Sequence, residues 1–263
     1  MKVLFYPDPP VQVRGHTLCK NIRYFKLLGY ELTNDIGSNW DIGVYWNYRA
    51  GRNRNLIYNE ITVPPRRLIE DPRPVLNIRC TDVTKTNVDK IFKAVFKYSS
   101  MADTTKFGYC IKKSERQSAH DGQITRLPCK KEKGFIYQKL LDSRSGMHYI
   151  CDIRMPIFMG KIPLLFMKCR DTKGTFDHTF ATKKKYWTPA LHEYLSADEI
   201  AKIIEFCTLI GLDLGEIEAI RDNSTQKLYI FDVNDTPGSR CFTALDNNAV
   251  IEKSLADFFG KLI

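Results

Sequence analysis

Two apolar runs near the C-terminus, LGEIEAIRD and KLYIFDVND, are separated only by NSTQ, a spacing that folds into an antiparallel hairpin. Side chains two apart on a strand share a face. Glu216 and Glu218 therefore project together, as do Asp232 and Asn234, with Phe231 and Val233 on the opposite side. Pairing Asp222 with Leu228 sets Glu218 opposite Asp232, so that two carboxylates and an amide oxygen converge. Like charges gathered in a partly buried place repel, and a bound cation relieves them; an all-oxygen donor set suits Mg2+. The same acids would also serve an ordinary capped hairpin paired with surface lysines.

The rest of the 263 residues reads as a succession of α/β elements without internal repeats. KVLFYP is a strand, HTLCKNIRYFKLL a helix with Leu18, Ile22, Phe25 and Leu28 on one side, closed by Gly29, and YELT a second strand. WDIGVYW and NLIYN continue as strands, and VPPRRLIEDPRP is a connecting loop. A second unit starts near VLNIRC, followed by the helix TKTNVDKIFKAVFKY with Thr86 and Asp89 at capping-box spacing. Strands FGYCIKK and GFIYQKLL flank the polar loop SERQSAHDGQITRLPCKKEK. HYICDIRMPIF and KIPLLFMKCR form a hairpin turning at Gly160. The helix SADEIAKIIEFCTLI opens on a Ser196/Glu199 capping box and stops at Gly211, and a last helix carries Val250, Ile251, Leu255, Phe258 and Phe259. This gives three segments: an N-terminal α/β domain over 1–75, a second lobe over 76–140, and a C-terminal lobe with the acidic hairpin over 141–263.

A hydrophobic content of 43% supports a buried core. No apolar run is long enough to span a bilayer, and MKVLFYPDPP meets Asp and Pro too early for a signal peptide, so a cytoplasmic protein is expected. The eight cysteines show no CxxC pair and read as reduced core residues. A net charge of +10 implies an anionic partner: nucleotide phosphates, a carboxylate substrate or a nucleic acid. Nucleic acid is the less favoured of these, because no basic stripe interleaved with aromatics is present.

The segment GLDLGEIEAIRDNSTQKLYIFDVNDTPGS resembles the C-terminal signature of the ATP-grasp superfamily, in which a strand carrying an acid is followed by acid-x-Asn and a Pro-Gly turn. D-alanine:D-alanine ligases, glutathione synthetases and protein glutamate ligases share it. The resemblance implies an α/β fold of α+β lobes, an ATP-grasp core behind a short Rossmann-like N-terminal domain, with ATP and Mg2+ as cofactors. It implies Glu218, Asp232 and Asn234 as metal ligands, with Asp232 standing where Glu is common. Lys112 of GYCIKK matches the lysine that neutralises the nucleotide phosphates, its neighbour Lys113 stands where Pro is common so that either of the two can be the one pointing inward, and Lys85 is the candidate for a second such lysine. KSERQSAHDGQI takes the place of the flap over the phosphates, with Ser114, Ser118 and Gly122 for close backbone approach. GFIYQKLLD resembles the hinge: Gln138 stands where Glu is frequent, backbone groups near Lys139 and Leu140 would bind the adenine edge, and Asp142 the ribose. Arg170 would reach the terminal phosphate, with Lys168 its nearest competitor, and Arg154 would pair with Asp152 or Asp142 or orient a substrate carboxylate. His178, Ser239 and Arg240 would face the acceptor.

The implied activity is an ATP-dependent carboxylate-amine ligase, forming a C–N bond through an acyl phosphate and releasing ADP and phosphate. Its substrates would be a small carboxylate and an amine, a peptide among them. The competing readings are a nucleic-acid-associated protein with an ATP-grasp-like fold, and an ATP-grasp phosphotransferase with a stable phosphorylated product.

Overall fold

The computed structural model describes residues 1–7, 20–46, 64–115, 121–146, 149–171, 184–187, 190–235 and 248–263. Strands β1 (Lys2–Pro7), β2 (Glu31–Thr33), β3 (Ile42–Trp46) and β4 (Val75–Leu76) form a parallel sheet in the order β2-β1-β3-β4. Helix α1 (Lys20–Leu27) connects the first two and buries Ile22 and Phe25 in the cluster that holds Val3 and Phe5 of β1. The connector read as loop contains a four-residue helix, α2 (Arg66–Ile69). Pro65 before it, at φ −63°, already has the helical φ value, and Leu68 anchors the turn by burial. The expected strand NLIYN lies outside the described residues.

Helix α3 (Lys85–Phe96) is capped by Thr84, whose Oγ1 accepts from the Asn87 N–H, two residues before the expected cap. Thr86 instead donates to Glu115, and Asp89 is buried, accepting bonds from Ser99 and Ser100. A small antiparallel sheet follows in the order β6-β5-β7, from β5 (Gly108–Ser114), β6 (Gln123–Leu127) and β7 (Phe135–Lys139). β6 falls where the sequence suggested loop: its residues are mostly polar and exposed, and pairing with β5, not burial, fixes it. Ser118 lies outside the described residues.

The largest sheet is antiparallel, ordered β11-β10-β9-β12-β13 with β8 also on β9. Its members are β8 (Arg144–Ser145), β9 (Tyr149–Phe158), β10 (Phe166–Asp171), β11 (Lys184–Trp187), β12 (Leu214–Arg221) and β13 (Leu228–Asn234). The turn joining β9 toward β10 has Met159 at φ 46° and Gly160 at φ 73°, the left-handed pair of a tight two-residue hairpin. After the short α4 (Leu191–Tyr194), α5 (Ala197–Ile210) carries both halves of the Ser196/Glu199 capping box and ends at Gly211, φ 80°.

One face of this sheet is apolar. Cys151, Ile153, Met155 and Ile157 of β9, Met167 and Cys169 of β10, and Ile217 and Ala219 of β12 cluster with Val88, Phe92, Val95 and Phe96 of α3 and Ile203, Phe206 and Ile210 of α5. Cys151 and Cys169 are register partners, Cα–Cα 4.1 Å, and are joined as a disulfide; this corrects the reading of all eight cysteines as reduced. The reason is alternation, which points both thiols to the same side of adjacent strands.

The opposite face is divided. At one end Phe158, Phe166 and Leu214 join Val3, Phe5, Ile22 and Phe25 and the last helix, α6 (Asn248–Gly260), through Leu255 and Phe259. Although α6 belongs to the third segment in sequence, it packs on α1 of the first, with Arg23 paired to the buried Glu252. The other end of the same face carries charge. Among the described residues, no helix is long and apolar enough to cross a membrane.

Candidate functional site

Alternation along β9, β10, β12 and β13 gives the charged half of this face eight polar residues: Asp152 and Arg154, Lys168 and Arg170, Glu216 and Glu218, Asp232 and Asn234. Cross-strand register aligns Lys168 with Asp152, Arg154 with Glu218, Glu218 with Asp232, and Glu216 with Asn234. The sequence had implied the Glu218–Asp232 pairing through Asp222 opposite Leu228. The observed partner of Leu228 is Arg221, and the offset is absorbed between Glu218 and Ala219, where Ala219 pairs with Ile230 and Phe231 is the extra residue. This β-bulge also breaks strand alternation. Phe231, expected on the far side with Val233, lies with its ring 5.3 Å from Lys113 Nζ, next to Asp232, whereas Val233 is in the core.

Arg154 is the hub of the charges. Its Nη1 donates to Glu216 Oε1 at 3.2 Å and to Glu218 Oε1, and its Nη2 lies 3.9 Å from Asp152 Oδ2. Asp152 Oδ1 accepts from Arg170 Nη2 at 2.7 Å. Arg154 thus touches Asp152 as expected, yet its closer partners are the two glutamates. Burial pushes the Glu218 carboxyl up to about 7; Arg154 draws it down, and neighbouring Asp232 pushes it further up. A carboxyl that burial keeps partly protonated gains a stable charged form when a cation arrives. No cluster of three or more His, Cys, Asp or Glu that could hold a metal occurs among the described residues. The Glu218–Asp232 pair and the Asn234 amide oxygen nevertheless fit the hard-cation chemistry of Mg2+, which takes few protein ligands and keeps waters or phosphate oxygens.

The small sheet contributes lysines. On β5, Lys113 pairs with Ile136 and Ile111 with Gln138, and Lys113 reaches the Phe231 ring of the large sheet. Burial lowers Lys113 to about 8, Asp232 and Glu218 draw it back up, and Lys85 lowers it further. Lys112 takes the other face: its ammonium bonds Glu132 and sits 4.4 Å from the Phe135 ring, and the Glu132 contact raises its pKa. The structure therefore departs from the expected Lys112 and brings Lys113 to the acids, because adjacent residues of a strand face opposite ways. Lys85, first residue of α3, is buried and donates to the Glu115 carbonyl at 3.3 Å.

Gln138 is buried on the Lys113 face, its Nε2 3.4 Å from Ser100 Oγ, which in turn donates to Asp89. Lys139 donates from Nζ to the Ser99 carbonyl at 2.6 Å and from its backbone N–H to Ser100 at 2.8 Å. Leu140 is exposed. Asp142 is not brought to the acidic group: Arg144 grips both its oxygens, at 2.8 and 2.6 Å, and holds its carboxyl down at about 2. His178, Ser239 and Arg240 lie outside the described residues. Sequence reasoning left open which of Lys112 and Lys113 points inward, and it missed the bulge at Phe231. Alternating apolar residues flank both β5 lysines equally, and a bulge leaves no mark in a period-two pattern.

No protein-family model and no curated protein matches the chain. Solved structures do. The chain aligns with D-alanine–D-alanine ligase from Bacillus anthracis at TM-score 0.56 and 10% identity, covering 99% of this chain and 95% of that one. It aligns with the ATP-grasp ligase PsnB, in complex with a minimal precursor, Mg and ADP, at TM-score 0.55 and 10% identity, covering 97% and 96%. In another PsnB structure, with minimal precursor alone, the alignment has TM-score 0.48 and 14% identity, covers 72% of this chain, and spans 65% of the length of that enzyme. The fold is that of the ATP-grasp ligases, mixed α/β with the charged sheet face and the small antiparallel sheet in apposition.

Proposed function

We propose that the chain is an ATP-dependent carboxylate-amine ligase that works through an acyl phosphate and releases ADP and phosphate. The observation that carries this reading is the convergence of Glu218, Asp232 and Asn234 beneath Lys113, with Arg154, Arg170 and Lys168 on the same sheet face. The ATP and Mg-ADP complexes described for D-alanine–D-alanine ligase and PsnB support ATP and Mg2+ as the ligands.

Glu218, Asp232 and Asn234 would hold magnesium. When bound, the ion neutralises charge on the polyphosphate. Lys113 and Lys85 stand to balance the inner phosphates, and Arg170, with Lys168 beside it on β10, to meet the phosphoryl group in transfer. Gln138 and the hinge backbone would receive the base; because the Lys139 N–H is taken by Ser100, Leu140 is the hinge residue assigned to that edge. The chemistry asks for positioning and charge neutralisation, so no activated Ser or Cys is needed.

A peptide carboxylate is the acceptor class we assign first, since PsnB is described with precursor peptides and a net charge of +10 suits an acidic peptide. The test supplies ATP, Mg2+ and a panel of carboxylates, acidic peptides and amines, reads phosphate release, and identifies products by mass spectrometry. Phosphate release is expected only when carboxylate and amine are both present, and Asp232→Ala and Asn234→Ala should abolish it in folded protein. Wild-type turnover in Asp232→Ala, or a stable phosphorylated product without an amine, would overturn the reading.

A further inference from the structure

The proposed magnesium ligands leave two acids of the site, Asp152, which is held by Arg170, and Glu216. Glu216 is the most deeply buried carboxylate of the group, 1% exposed, two residues before Glu218 on the same face of β12. Burying an acid so completely next to other acids is costly unless it compensates a cation, and Arg154 is a cation within its reach. Arg154 in turn holds Glu218, one of the oxygens that a divalent ion requires. A guanidinium cannot shed its proton, so an arginine that gives up one carboxylate inside a buried site must keep another. Asp152 serves poorly, since it lies 3.9 Å from Arg154 and is already engaged by Arg170 at 2.7 Å.

We propose that Glu216 is a positioning residue that retains Arg154 when Glu218 turns to the metal. Arg154 bridges the two glutamates, and when Glu218 takes the metal the guanidinium stays compensated by Glu216. The proposal rests on the assignment of Glu218 as a magnesium ligand. It predicts a competition whose sign changes with the residue removed. Replacing Glu216 by Gln removes one carboxylate that compensates Arg154 and so strengthens its hold on Glu218. Replacing Arg154 by Met removes the competitor altogether.

The experiment is a calorimetric Mg2+ titration at fixed ADP, chosen because ADP lacks the phosphate that arginines of the site would contact in transfer. Glu216→Gln should weaken the apparent Mg2+ affinity about tenfold, whereas Glu216→Asp, which keeps the charge, should stay within about threefold of wild type. Arg154→Met should bind Mg2+ at least as tightly as wild type, and Glu216→Gln/Arg154→Met should recover to within about threefold of it. A Glu216 of merely structural importance would lower the melting temperature of Glu216→Gln without this recovery. Wild-type affinity in Glu216→Gln, a double variant as weak as Glu216→Gln, or an Arg154→Met variant weaker than wild type would each overturn the proposal. If Glu216→Gln does not fold, Arg154→Met and the double variant still decide it. Wild-type protein that shows no Mg2+-dependent ADP binding would instead sink the ligase reading itself, and this inference with it.

Discussion

Single residues decide the electrostatics of the site, and adjacent ones do so in opposite senses. Lys113 enters it and Lys112 leaves it. Removing the ammonium of Lys113 should weaken Mg-ADP binding by about tenfold or more, whereas Lys112→Ala, which loses a contact with Glu132 on the far face, should change it by less than about threefold. Calorimetry on the two variants checks this, and equal losses would show that the assignment of faces is wrong. Glu218 makes a second prediction. Its carboxyl is raised from 4.5 to about 7, so between those values the folded protein binds more protons than the unfolded chain. Stability from this group is thus full below pH 4.5 and lost as pH rises through 7. Without metal, the melting temperature of wild type minus that of Glu218→Gln should fall between pH 4.5 and pH 7.5, and magnesium with ADP should reverse the fall at the upper end; a difference independent of pH would refute it. At this scale the acids were legible in the sequence, because strand alternation alone puts Glu216 with Glu218 and Asp232 with Asn234. The lysine was not, because either parity of KK satisfied the same apolar pattern, and only the pairing of Lys113 with Ile136 selects one.

Elements hold these residues in register, and a tight constraint next to the site lies where β12 begins. A Cβ added at Gly215 would stand 2.6 Å from the Asn234 carbonyl oxygen and 2.7 Å from a Leu212 methyl group. No flexible side-chain end is available to yield on the backbone side. Gly215→Ala should therefore push β13 away at Asn234, destabilising the protein by about 1–3 kcal/mol and weakening Mg-ADP binding more than that loss of folded protein accounts for. Denaturant unfolding and calorimetry together test it, and unchanged metal affinity in the folded variant would count against a strand contact that sets the ligand. The elements themselves were largely readable. Ser196 with Glu199 and Gly211 bracket α5, and the Met159–Gly160 turn lies where Gly160 announced it. Three of the departures share a cause, since each involves contacts between separate elements. β6 is polar and is held by its ladder with β5. Thr86 lies inside α3 and bonds Glu115 while Thr84 accepts the capping bond, and the Cys151–Cys169 link joins register partners on adjacent strands.

Across the whole molecule, one sheet face does two jobs, and this couples the stability of the N-terminal sheet to the site. Phe166 is the register partner of Arg154, and Phe158 lies on the same strand as Asp152 and Arg154. Both rings belong to the cluster built from β1, α1 and α6. Phe259 of α6 is its keystone, fully buried, 5.0 Å from the Phe25 ring and 5.3 Å from that of Phe158. Truncation at such a position leaves a cavity with aromatic walls that cannot close, and Phe259→Ala should cost about 3–5 kcal/mol. The more informative consequence concerns cooperativity. Since the strands bearing Arg154 and Lys168 continue directly into this apolar end, loosening α6 should not release the N-terminal sheet alone. Wild type and Phe259→Ala should each unfold in a single transition, the variant at lower temperature, with Mg-ADP binding lost at the same temperature as secondary structure. An early transition in Phe259→Ala that leaves nucleotide binding intact to higher temperature would show instead that the charged half of the face stands without its apolar half.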